Sequence, residues 1–137
     1  MIIRQEMVRD YATVEKVIYA AFKKAALSKT VTEHELVSRL RKSDVFIKQL
    51  SLVIEDKSMN IVGHIMMTKA ISKLKDGTTQ EILVLAPISV LPNKQRLGYG
   101  TALIKTSLRL AKNLGYKAVC VMGHSSYYSK LGFKQAF

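Results

Sequence analysis

The order of periodicities along the chain predicts a mixed α/β layer structure, and three observations carry that expectation. Apolar residues recur at helical spacing near the N-terminus; long runs of branched residues follow, separated by polar turns; the second half then reads strand, glycine turn, helix, strand. Strands joined by short turns pair antiparallel and strands joined through a helix pair parallel, so the sheet is expected to be mixed.

Each element has its own grounds. From Tyr11 to Ala25, Val14, Val17, Ile18, Ala21, Phe22 and Ala25 fall on one helical face, with Asp10 placed to cap the first turn. A second helix begins at Thr32, whose hydroxyl is expected to cap while Glu35 reaches back, and Leu36, Val37 and Leu40 form its apolar face. Leu50 to Glu55 and Ile61 to Ile71 read as strands of a hairpin, because Asp56-Lys57-Ser58-Met59-Asn60 between them is a polar turn. Asp76-Gly77 turns the chain into a long strand, Thr79 to Leu91. Pro87 within it cannot donate to a ladder and marks either a bulge or the place where two strands part, a natural slot for a ligand.

A helix is expected from Tyr99 to Asn113, buried through Leu103, Ile104, Ser107, Leu108, Ala111 and Leu114 and stopped by Gly115. Val119 to Met122 is a short strand, and Ser125 to Leu131 a last helical turn ending at Gly132. The 137 residues, 48% of them hydrophobic, suit one domain over 1–137, without repeat or linker.

Composition narrows the setting. Apolar runs such as Ile82 to Ile88 are far shorter than the roughly 20 residues that span a bilayer, so no membrane partner is expected. The first residues lack the pattern of a secretory signal and Cys120 is the only cysteine, which points to the reducing cytoplasm. The formal charge of +12 favours a polyanionic partner: nucleic acid, anionic lipid or a phosphorylated cofactor. The lysines and arginines are scattered, with no dense basic run and no interleaved aromatics, so a solvated surface is expected rather than a nucleic-acid footprint.

The chemistry centres on Gln95-Arg96-Leu97-Gly98-Tyr99-Gly100-Thr101. Gly98 and Gly100 stand between a strand end and a helix start, where unpaired N–H groups and the positive helix end attract anions and the missing Cβ atoms let a pyrophosphate approach. A glycine pair alone also fits a plain tight turn. Gln95 and Arg96 can reach the same phosphates, Pro92 and Asn93 set the strand's exit, and Pro87 predicts the nearby break. A dinucleotide-binding turn is disfavoured because Leu103 replaces the third glycine and no acidic residue stands near Ala118 to Cys120; the Gly-Lys-Ser/Thr of a P-loop is absent.

Two segments carry a resemblance. Leu85-Ala86-Pro87-Ile88-Ser89-Val90-Leu91-Pro92 with Gln95 to Leu103 resembles the strand, Gln/Arg-x-x-Gly-x-Gly/Ala turn and helix of the GNAT superfamily of acetyl-CoA-dependent N-acetyltransferases, in particular its small bacterial members. Tyr127-Tyr128-Ser129-Lys130-Leu131-Gly132-Phe133 is similar to that family's aromatic-Tyr-x-Lys-x-Gly-Phe segment, and weaker likeness extends over Ile61 to Ile65 and the opening helices. The resemblance implies a sheet whose antiparallel N-terminal meander ends in a central strand splayed from a parallel one. It implies a coenzyme A site in which main-chain groups around Ile88, Ser89 and Val90 meet the pantetheine arm. The turn Gln95, Arg96, Leu97, Gly98, Tyr99, Gly100 and Thr101 would then hold the pyrophosphate. It also implies acetyl transfer from acetyl-CoA to a small-molecule or peptide amine, with no metal, and places Tyr128 where a hydroxyl protonates the departing thiolate.

The general base stays unassigned. The family's frequent glutamate has no counterpart beside Pro87, Glu81 lies near its strand's start, and Glu33 reads as a first-turn helix carboxylate. His64 on an apolar strand reads as a hydrogen-bonded core residue; His124 suits either a cap or a cofactor contact; Cys120 reads as buried rather than acyl-carrying. The resemblance implies a further strand after Gly-Phe whereas this chain stops at Phe137, so the expectation is either a naturally short protein or a truncated chain that lacks its C-terminal strand, with a sheet edge left exposed or covered by a partner subunit, as in a homodimer. Two readings from other classes remain beside the enzyme: a catalytically silent module binding coenzyme A or an acidic partner, and a basic nucleic-acid-binding domain.

Overall fold

The computed structural model describes residues 1–26 and 31–121, without the side chains of 24–26. Branched residues and polar turns build a five-stranded sheet in the order β1 (Ile2–Gln5), β2 (Phe46–Glu55), β3 (Ile61–Lys73), β4 (Thr79–Val90), β5 (Val119–Val121). The first three pairings are antiparallel and β4–β5 is parallel, from Leu83↔Val119 to Leu85↔Val121, as strand-helix-strand connectivity requires. The mixed sheet expected from the sequence is therefore present. β1 was not expected: four residues are too few to show alternation, and it is held by pairing Ile2 to Gln5 with Glu55 to Leu52.

Turn chemistry fixes the hairpins. The Asp56 carboxylate accepts the N–H groups of Ser58 and Asn60 at 2.9 and 3.0 Å, closing the β2–β3 turn. Asp76 accepts both the N–H and the hydroxyl of Thr78 beside Gly77 in the β3–β4 turn. Pro87 produces the bulge expected of it: Ile65 faces Ile88 and Met67 faces Leu85, so Met66 alone spans Ala86 and Pro87.

Helices cover both faces. α1 (Tyr11–Ala26) and α2 (Glu33–Arg41) lie on one side, where Val14, Ile18 and Val37 meet Val53 and Met66. α3 (Tyr99–Asn113) lies on the other, where Leu103, Ile104 and Ala111 meet Leu52, Ile54, Ile65, Met67, Leu83 and Leu85. Each fully buried side chain of this size contributes about 1.5–3 kcal/mol. Gly63 on β3 permits this approach, since a Cβ there would lie 2.9 Å from Ile54, 3.0 Å from the Ser89 carbonyl oxygen and 3.2 Å from Leu103. At the far end of α3, Gly115 at φ +94° closes the helix as expected, with the Tyr116 N–H on the Ala111 carbonyl and the Gly115 N–H on the Lys112 carbonyl.

Two caps differ from expectation. Asp10 does not cap α1; it accepts the Met7 N–H at 2.8 Å and pairs with Arg4 at 2.7 Å, closing a 3-10 turn over Val8–Asp10 that precedes the helix. At α2 the Thr32 hydroxyl makes no cap bond, and Glu33 rather than Glu35 accepts the Thr32 N–H, at 3.1 Å, because a side chain one residue on needs no return across the turn. β2 also starts at Phe46, ahead of Leu50; its exposed Lys48 and Gln49 and a register shift between Phe46 and Ser51 hide the alternation.

Candidate functional site

After the bulge, β4 offers two different edges. The Leu91 N–H bonds the Val62 carbonyl at 2.8 Å, and pairing along an antiparallel ladder alternates, so Ser89 spends its main-chain groups on His64. Ile88 and Val90, opposite Ile65 and Gly63, therefore turn their N–H and C=O groups away from β3. Beyond Val90 a 3-10 turn over Pro92–Lys94 leads the chain back, and the Gln95 amide donates to the Val90 carbonyl at 3.1 Å, fastening the loop to the strand end.

The loop then enters α3 through an unusual backbone. Arg96 has φ +64° and Gly98 φ +92° with ψ 0°, and α3 starts at the next residue. A left-handed residue followed by helical ones turns successive N–H groups toward one concavity, a nest for anions. The first intrahelical bond runs from the Ala102 N–H to the Gly98 carbonyl, at 3.0 Å, so the N–H groups of Tyr99 and Gly100 have no acceptor within the helix, and the positive helix end adds to their pull. A Cβ on Gly98 would meet nothing within 4 Å: the glycine is required by its φ, and the space in front of it is open.

That space is a cavity of about 320 Å³ lined by Ile88, Val90, Lys94, Gln95, Arg96, Gly98, Gly100 and Thr101. Two cations face it and, among the described residues, no carboxylate lines it. The shape, a strand edge with main-chain donors and acceptors leading to an anion nest, suits an elongated ligand with an amide-containing arm and a phosphorylated end.

Seven of the residues singled out by sequence therefore meet in one cavity, and Lys94 joins them. Lys94 was missed because a lysine in a basic chain carries no signal of its own; it also lies 3.7 Å from Asp56 in the β2–β3 turn. Leu97 does not line the cavity and is 61% exposed at the tip of the loop, and Tyr99 packs against the core under α3. Ser89 is buried, with its side chain on the opposite face of β4 from Ile88 and Val90. Glu81 stands seven residues before Ile88, on the order of 20 Å along the strand, and lies instead against Tyr116. Tyr128, His124 and the whole Tyr127–Phe133 segment lie outside the described residues.

On the α1 side of the sheet sequence reasoning found only one of the participants, His64. Its ring is fully buried, and burial, with the Arg41 charge adding, pushes its pKa down to about 3. Nε2 lies 3.0 Å from Ser51 Oγ, which lies 2.8 Å from Glu6; Glu6 in turn accepts Arg41 at 2.7 and 3.2 Å, and the Arg41 guanidinium stacks 4.0 Å from the Tyr11 ring. Four segments far apart in sequence supply this group, so no local motif announces it.

Known proteins match this arrangement. The acetyltransferase (GNAT) domain family matches residues 48–135. The uncharacterized N-acetyltransferase YjhQ of Escherichia coli (strain K12) is 33% identical over 102 residues, 74% of this chain, and the chain spans 55% of that relative's length. A GNAT family acetyltransferase from Brucella melitensis, solved in complex with acetyl-CoA, superposes with a TM-score of 0.85 at 32% identity, over 97% of this chain and 82% of that one. The GNAT family N-acetyltransferase YhbS from Escherichia coli, solved in complex with CoA, shares the fold at 23% identity and a TM-score of 0.81, over 97% of this chain and 68% of that one. With the strand, nest and helix in this order and the domain matched over residues 48–135, the chain belongs to the GNAT acetyltransferase domain family.

Proposed function

We propose that the chain is an acetyl-CoA-dependent N-acetyltransferase, a single domain over 1–137 that passes the acetyl group directly to a primary amine of a small molecule or peptide. The observation that carries this reading is the cavity that joins the free edge of β4 to the nest at Gly98. In it the pantetheine arm pairs with main-chain groups of Ile88 and Val90, and the pyrophosphate rests on the N–H groups from Gly98 to Gly100, with Lys94 and Arg96 beside it. Gln95 lines the same cavity, with its amide on the Val90 carbonyl. The Brucella relative's bound acetyl-CoA supports the donor, and the reducing cytoplasm suits a chain with one thiol.

Direct transfer needs no covalent enzyme intermediate. The amine must reach the thioester carbonyl neutral and lose a proton as it attacks, and the thiolate leaves more readily with a donor near it, the role proposed for Tyr128. Holding both reactants side by side contributes on the order of 7–11 kcal/mol in favourable cases.

The test is thiol release from acetyl-CoA over a panel of primary amines, with the acetylated product identified by mass. Amine-dependent release supports transfer. Saturable acetyl-CoA binding without release from any amine would make the chain a silent coenzyme A-binding module instead.

A further inference from the structure

Lys94 is held at both ends. Its N–H bonds the Leu91 carbonyl at 2.8 Å within the turn over Pro92–Lys94, and the Leu91 N–H bonds the Val62 carbonyl of β3, so the lysine's backbone is tied to the sheet. Its ammonium lies 3.7 Å from Asp56 Oδ2. That carboxylate is fixed in its turn: the other oxygen, Oδ1, accepts the Ser58 and Asn60 N–H groups of the β2–β3 turn, and the side chain is only 11% exposed. The N–H bonds, that of Asn60 foremost, hold its carboxyl below the usual carboxylate range, so at neutral pH it faces Lys94 fully charged.

The pairing is selective. With 22 basic against 10 acidic residues in the chain, acidic partners are scarce, and among the described residues Lys94 is the only lysine in an ion pair. It is also the only lysine lining the cavity at the Gly98 nest. Arg96, the cavity's other cation, has no carboxylate within ion-pair distance among the described residues. A carboxylate beside an anion site repels the ligand, so its placement there needs a compensating effect. Lysine supplies one: its long stem is costly to order on a ligand, and its ammonium carries three N–H donors, so one can point to Asp56 while two remain for phosphate oxygens.

We propose that Asp56 is a positioning residue of the donor site, holding the Lys94 ammonium at the cavity wall where it receives a phosphate of acetyl-CoA; the inference rests on the acetyltransferase reading. Asp56 does not touch the donor. Lys94 spans the two, one N–H on Oδ2 and the others on the phosphate. Ordering the lysine before the ligand arrives removes part of the cost of ordering it afterwards. The repulsion between Asp56 and the phosphates is the smaller effect, because the ammonium stands between them and water screens what is left. The β2–β3 turn thereby serves the donor site although none of its residues lines the cavity. Asp56 has two tasks at once, each with its own oxygen: Oδ1 closes the hairpin and Oδ2 orients the lysine.

The informative variant is Asp56→Asn. Asparagine keeps an oxygen for the Ser58 and Asn60 N–H groups, so the turn and the thermal midpoint should be retained while the charge facing Lys94 is lost. Calorimetric affinity for acetyl-CoA should fall about three- to tenfold. Lys94→Met should weaken binding at least as much, and adding Asp56→Asn to Lys94→Met should cost nothing further, because the residue through which Asp56 acts is gone. Unchanged binding in Asp56→Asn would overturn the proposal, and tighter binding would overturn it by showing that Asp56 competes with the donor for the lysine. An equal loss with and without Lys94 would overturn it too, by routing the effect through the turn. A second readout removes the phosphates: S-acetylpantetheine should bind the wild type and Asp56→Asn equally, and a loss as large as that for acetyl-CoA would contradict the role assigned to Lys94. Failure of the wild-type chain to bind acetyl-CoA would remove the transferase reading itself, and the positioning role with it.

Discussion

On the α3 side of β4, Ile88 and Val90 open onto a cavity whose cations, Lys94 and Arg96, stand at the surface; on the α1 side, one residue away, Ser89 and His64 are sealed in with Ser51, Glu6 and Arg41. The open side draws its chemistry from consecutive residues of one loop and from backbone geometry. The closed side draws it from side chains supplied by the segment after β1, α2, β2, β3 and β4. Burial makes the difference matter: exposed cations are screened by water and contribute little to stability, whereas a buried carboxylate depends entirely on its partners.

The comparison predicts where substitutions hurt the fold and where they hurt binding. The largest stability effect is expected from Arg41→Met, which leaves the Glu6 carboxylate, 1% exposed on its side chain, without its cation. A loss of about 3–5 kcal/mol by urea denaturation is the expectation. A loss below about 1 kcal/mol would mean that water reaches Glu6 and that the closed side is not closed.

Gly63→Ala comes next. Its Cβ would press on Ile54 and on the Ser89 carbonyl, a backbone atom that cannot swing aside, and about 1–3 kcal/mol should be lost. Because Gly63 faces Val90, the same change should weaken acetyl-CoA binding by displacing the strand edge. Stability lost with affinity unchanged would show that the two faces are mechanically independent.

Acid sharpens the contrast in a smaller way. An imidazole whose folded value, about 3, lies below its ordinary 6.5 binds fewer protons in the native state than in the unfolded chain between those values. Its contribution is therefore whole above pH 6.5 and is lost as pH falls toward 3. Urea midpoints should drop on going from neutral pH to about pH 4.5, and that drop should be shallower in His64→Gln than in the wild type. An equal drop in both would place the acid sensitivity elsewhere.

The contrast also explains what sequence could and could not supply. The layer class and the glycine turn into α3 were legible because they are local: hydrophobic periodicity, Asp56 and Asp76 at the turns, Pro87 at the bulge, Gly98 between strand and helix. Arg96 at positive φ was not, since arginine rarely adopts that conformation and nothing in its neighbours demands it. The bond from the Gln95 amide to the Val90 carbonyl was not legible either, because only the short turn after the strand brings that amide back within 3.1 Å of the carbonyl. The closed group was legible only as an isolated histidine. Glu6, Arg41 and Ser51 lie 58, 23 and 13 positions from it, and only the register of β2 with β3 and the docking of α2 bring them together.

The central claim, that the nest at Gly98 receives the donor's pyrophosphate, is tested most directly by calorimetric titration of acetyl-CoA into the wild-type chain and into Gly98→Val. The wild type should bind at one site. The variant should remain folded, at a cost of about 1–2 kcal/mol for a branched residue at φ +92°, and should lose at least about tenfold in affinity as the side chain enters the open space before the helix. Equal affinity in the two proteins, or no binding to the wild type, would contradict the account.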